Sequence, residues 1–147
     1  MRLSWVVFLT LVLGCAPAWA ALGDSVASVN SDVQALGGQH RLVARSGYNL
    51  HQITAADGSV VNEFVSPAGK VFGISWQGRG IPDLHQLLGS YMTELQHGQR
   101  TGHIPRRAVT IETPDFVYTS MGHERSFHGY AYVRSLIPSN LTPEVIQ

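Results

Sequence analysis

A carboxyl group inside an apolar, β-patterned segment has few chemical options, and Glu63 occupies that place in VNEFVSPAGKVFGISW. With side chains alternating at a period of two, Glu63 falls on the face of Val61, Val65, Phe72 and Ile74. There it must be paired, reach an edge, or stay protonated with a raised pKa. One reading makes Glu63 the polar floor of a small ligand-binding pocket, with Trp76 and Tyr48 as walls. The other is structural: an ion pair with an arginine, or a one-residue bulge that turns Glu63 outward. His51 is expected on the opposite face near Phe64, as an ordinary half-buried histidine.

Other chemistries lack the spacing they need. GISWQG, residues 73–78, resembles a hydrolase nucleophile elbow, but its second Gly comes one residue late and Ser75 lies inside a strand pattern. HERSFH sets His123 and His128 five apart. Two histidines share a helix face at i, i+4; at i+5 they diverge by about 140°, and on a strand they point to opposite faces. The seven histidines thus contain no ligand pair at workable spacing, and no metal or cofactor is implied. Arg100, His103, Arg106 and Arg107 cluster in HGQRTGHIPRR, residues 97–107, which reads as an exposed loop. Ten basic and ten acidic residues balance, and no basic face is interleaved with aromatic residues, so nucleic acid is not an expected partner.

The elements that must position these groups follow from periodicity. DSVASVNSDVQAL, residues 24–36, predicts a short helix with Val26, Val29, Val33 and Leu36 on one narrow stripe, stopped by Gly37 and Gly38. YNLHQIT, VVNEFV and KVFGISW predict three antiparallel strands, turned at Asp57-Gly58 and at Ser66-Pro67-Ala68-Gly69. Two-residue loops at Asp57-Gly58 and Pro67-Ala68 would pair His51 with Phe64, Gln52 with Glu63, and Glu63 with Phe72. One core face would then carry Tyr48, Leu50, Val61, Val65, Phe72, Ile74 and Trp76.

Ile81-Pro82-Asp83 opens the clearest helix, residues 82–96, with Leu84, Leu87, Leu88, Tyr91, Met92 and Leu95 on one face. AVTIET, FVYTSM and SFHGYAYV predict a second meander, with turns at Pro114-Asp115 and Gly122-His123. The tail PSNLTPEVIQ reads as loose, with a helical turn able to start at Thr142. The expected fold is α+β: an antiparallel sheet of about six strands in two meanders, one main helix packed on it, and a short N-terminal helix alongside.

MRLSWVVFLTLVLGCAPAWA, residues 1–20, has the parts of a secretory signal. Arg2 is the positive end, an apolar run follows, and Ala18-Trp19-Ala20 is a small-x-small cleavage site. A single α+β domain, residues 21–147, would remain. The apolar run is shorter than the roughly 20 residues a membrane-spanning helix takes, and none follows it. Val12-Leu13-Gly14-Cys15 offers a competing outcome, lipidation at Cys15. Cleavage after Ala20 would remove the chain's single cysteine and with it disulfide and thiol chemistry.

The order of motifs is similar to that of a bacterial family known as domain of unknown function 2844. ALG at the mature start, a helix ending in GG, HQIT, VNEFVSPAGKVFGISWQG, PDLHQLLG and VYTSMGHERSFHGYAYV carry the resemblance. It implies an exported protein of a Gram-negative bacterium and transfers no catalytic residues. The expected function is a non-enzymatic periplasmic or secreted module that binds a small ligand, an envelope component or another protein. Two alternatives stand beside it: a small envelope hydrolase or isomerase using Glu63 and a histidine, and a structural subunit of an envelope assembly.

Overall fold

The computed structural model describes residues 22–101 and 108–147; the expected signal, its cleavage site, Cys15, His103, Arg106 and Arg107 lie outside them. Seven strands form one antiparallel sheet in the order β1-β2-β3-β4-β7-β6-β5. β1 (Gln39–Arg45), β2 (Tyr48–Thr54), β3 (Val60–Val65) and β4 (Val71–Gly78) make the first meander; β5 (Ala108–Glu112), β6 (Phe116–His123) and β7 (Ser126–Val133) make the second. Pairing of β4 with β7 joins them, Ile74 opposite Ala131 and Trp76 opposite Gly129. The α+β class is as expected, with one strand more. β1 shows no clean alternation, because it is an edge strand exposed along nearly its whole length.

Both meander turns are three-residue loops rather than two. Ala55 N–H donates to Ser59 O at 2.8 Å and Gly58 N–H to Ala55 O at 3.0 Å, with Gly58 at φ 83°. Ser66 N–H donates to Lys70 O at 2.8 Å, and Gly69, at φ 75°, closes the second loop in the same way. Each loop is a tight turn followed by a left-handed residue, which glycine adopts without steric cost. The extra residue shifts β2 on β3 by one position, so His51 lies opposite Glu63 and Ile53 opposite Val61. A one-residue shift exchanges faces. Tyr48 and Leu50 therefore leave the Glu63 face, and His51 and Ile53 join it. A further irregularity between Phe64 and Val65 sets Glu63 opposite Ile74 and moves Phe72 to the other side.

The sheet is covered on both faces. On the first lie α1 (Val29–Leu36), α2 (Leu84–Leu88) and α3 (Met92–Thr101), with Val29, Leu87, Leu88 and Leu95 buried against Ile53, Ile74, Phe116 and Val133. Asp83 caps α2 by accepting from the N–H groups of His85 and Gln86 at 2.9 and 3.3 Å. A 3₁₀ turn, Gly89–Tyr91, links α2 to α3, which runs on to Thr101, so residues 97–101 are helical and not loop. Gly98 is no breaker there: a Cβ on it would stand 2.5 Å from Ile111 Cγ2, and its absence lets α3 lie close on β5.

The second face carries Phe64, Phe72, Val117 and Tyr132, and the C-terminal tail covers them. That tail is not loose. After a 3₁₀ turn at Arg134–Leu136, it makes the turn expected at Thr142, Pro143–Val145, and buries Ile146 to 2% exposure directly over Gly73. At the other end of the chain, Leu22 N–H donates to Leu87 O at 2.9 Å and Gly23 N–H to Val71 O at 2.8 Å, which straps the segment after residue 21 onto α2 and β4. Among the described residues no helix is long and apolar enough to cross a membrane.

Candidate functional site

Glu63 is sealed inside the helix-covered face at 1% exposure, and so is Asp32 of α1, also at 1%. The Asp32 carboxyl is the group to which Glu63 is hydrogen bonded, and neither Glu63 oxygen receives a bond from a donor group. Two carboxyl groups can satisfy one another only if one keeps its proton. Burial first, then the bond to Asp32 and the charge on Asp32, push the Glu63 carboxyl up to about 10, so Glu63 is the protonated partner and the donor. Burial also raises Asp32, against the hydrogen bonds it accepts from Glu63 and from Gln86 Nε2, the latter at 2.5 Å. One proton and one negative charge thus tie α1, β3 and α2 together.

His51 sits directly across from Glu63 on β2, at 7% exposure. Its ring stacks on that of His40 with centroids 5.1 Å apart, and His40 Nε2 and His51 Nδ1 are 3.1 Å apart. Burial, then the neighbouring His40, lowers the His51 pKa, which keeps it neutral at pH 7. A protonated acid, a carboxylate and an imidazole are the parts of an acid-base site. Here they are packed in the core, out of reach of a substrate. The pocket expected around Glu63 is split by the sheet: Trp76 shares its face, whereas Tyr48 lies on the opposite one, against Phe64 and Phe72.

The tail-covered face carries an open groove of about 590 Å³. Its floor is built across β1, β2, β3, β4 and β7, and Val145, Ile146 and Gln147 of the tail form one wall. Tyr48 borders it and Glu63 does not; Trp76 is also a bordering residue, although its ring is buried against Tyr118 in the helix-covered core. The strand register explains its polarity. Gln52, Asn62, Ser75, Tyr130, Thr119 and Thr110 stand opposite one another from β2 to β5, one side chain per strand, and Asn62, Ser75 and Tyr130 of this row line the groove. Gln52 Nε2 donates to Asn62 Oδ1 at 3.2 Å, Asn62 Nδ2 to Ser75 Oγ at 3.3 Å, and the Thr110 and Thr119 hydroxyls are 3.4 Å apart. Alongside this polar row, Leu50, Phe64 and Ile146 make an apolar border.

Sequence patterning alone missed Asp32, Gln86 and the polar row. Asp32 had a signal: it falls at i+3 from Val29 on the stripe that continues to Val33 and Leu36, a carboxylate where the helix meets the sheet. Among the described residues no group of three His, Cys, Asp or Glu is placed to hold a metal ion. A second, smaller cleft of about 360 Å³ opens between the end of α1, the β2–β3 turn and Ile81-Pro82. It is lined largely by small and apolar side chains.

No curated protein and no solved structure matches this chain. The profile of the family described as protein of unknown function (DUF2844) matches residues 18–146, and the chain belongs to that family.

Proposed function

We propose that this protein is an exported, non-enzymatic binding module that takes its ligand in the groove on the tail-covered face. The observation that carries the reading is the combination, in one concavity, of an uncharged hydrogen-bonding floor with an apolar wall. Such mixed, largely preformed concavities are the usual form of a small-ligand site. Export is supported by the secretory pattern of residues 1–20.

The hydrolase or isomerase alternative needs Glu63 and a histidine at a surface that substrate can reach. Glu63 and His51 are adjacent, but their burial and the commitment of Glu63 to Asp32 favour a structural role for the pair.

Native mass spectrometry on the protein recovered from the envelope fraction of its own host tests the proposal. The expected result is a chain beginning at Ala21 that carries a dissociable adduct, lost in a Tyr130→Ala variant of unchanged circular dichroism. A chain retaining residues 1–20, or an adduct unaffected by that substitution, would sink the exported-module or the groove part respectively.

A further inference from the structure

The unmatched hydrogen-bonding groups of the groove narrow its ligand class, given that the groove is the binding site. Asn62 spends its Oδ1 on Gln52 and one N–H on Ser75; its second N–H and the Ser75 O–H make no hydrogen bond to described residues. The Tyr130 hydroxyl is also unpaired among the described residues, while its ring is held against Tyr132 at 6.2 Å and 14°. These groups, an amide N–H and two hydroxyls, are uncharged and suit ligand hydroxyl groups that both donate and accept. Among the described lining side chains Arg45 alone is permanently charged. The row advances by one strand spacing, roughly 4.8 Å, per side chain, a step comparable with one pyranose ring.

The wall beside the row selects further. Ile146 is fixed in place by its fit over Gly73, whose missing Cβ would lie 2.5 Å from Ile146 Cδ1. Leu50 and Val145, both partly exposed, offer an apolar surface in the same groove as the Asn62 amide. A methyl group on an amide would pack there while its N–H and C=O reach the polar row. We propose that the groove binds a neutral saccharide bearing an N-acetyl group, laid across the strands with a ring face on Tyr130. The volume of about 590 Å³ accommodates a short oligosaccharide rather than a single ring.

The test is an amide-shift titration of isotopically labelled protein, expressed as the full chain and taken in the processed form the cell releases. The probes are chitotriose, maltotriose and choline. Chitotriose is expected to shift Asn62, Ser75, Tyr130 and Ile146 saturably. Maltotriose, which lacks the acetamide, should bind at least about tenfold more weakly. Tyr130→Ala should remove the chitotriose shifts while peak dispersion elsewhere is kept; the spectrum itself reports whether the variant has folded. Absence of saturable shifts with chitotriose overturns the saccharide assignment. If choline then moves the same four residues, the groove stands as a site for another class. Equal affinity for maltotriose overturns the N-acetyl requirement. Chitotriose shifts confined to Ala56, Ile81 and their neighbours in the smaller cleft overturn both the saccharide inference and the groove as the site.

Discussion

Replacing Glu63 with Gln should reverse its effect on stability as pH rises. In the folded protein Glu63 keeps its proton up to about pH 10, whereas in the unfolded chain it ionises near its ordinary 4.5. Its folded-state pKa is raised, so the stability it contributes is complete below pH 4.5 and is lost progressively as pH climbs towards 10. The loss is about 1.4 kcal/mol per pH unit, or about 3 kcal/mol by pH 7. Gln donates to Asp32 from its amide as Glu63 does from its O–H, and it has no proton to lose. Its second N–H and its carbonyl must be buried without partners, a cost of about 1–3 kcal/mol at every pH.

The variant should therefore be no more stable than the parent at pH 5, cross it between about pH 5 and 7, and exceed it by a few kcal/mol at pH 9. Asp32 is raised in the folded state and contributes with the same sign as Glu63; His51 is lowered and opposes, losing stability as pH falls below 6.5. His51 is present in both proteins and cancels in the difference. Urea unfolding of both at pH 5, 7 and 9, with matched m-values, measures the effect. A difference that stays constant across that range would refute the reasoning, because Glu63 would then be ionised in the folded protein.

Two further substitutions probe the parts that frame the groove and the helices. Gly73→Ala places a methyl group in the space of Ile146 and should destabilise the fold by about 1–3 kcal/mol, with part of the loss recovered when Ile146→Ala is added. Additive losses in thermal unfolding of the single and double variants would mean that the tail does not press on Gly73. Asp83→Ala removes the acceptor for two α2 N–H groups and should cost about 1 kcal/mol, while Asp83→Ser should cost much less. Equal unfolding midpoints for the two variants would show that this cap contributes nothing.

The strands and helices of this protein are written in local patterns. Six strands, the helix after Pro82 and the short helix before Gly37 stand where periodicity of two or 3.6 places them, because burying one face is a local demand on spacing. β1 was not visible in this way, since an exposed edge strand buries too little to enforce alternation. The candidate site was recognisable in kind and wrong in arrangement. A carboxyl group among Val61, Val65 and Ile74 announces that something unusual must neutralise it, but its partner is Asp32 on another element, brought there only when α1 docks.

Which side chains meet was settled by the tertiary structure. Asp57-Gly58 signals a turn in isolation, yet the loop takes three residues, and that one added position puts His51 beside Glu63 and Tyr48 on the far face. Strand side chains repeat every two residues, so an error of one in register exchanges the two faces, and with them core and groove. The sequence by itself determined where the chain extends, coils and turns. Long-range strand pairing, helix docking and the return of Ile146 over Gly73 decided what is sealed and what lies open, because those contacts depend on positions far apart in the chain.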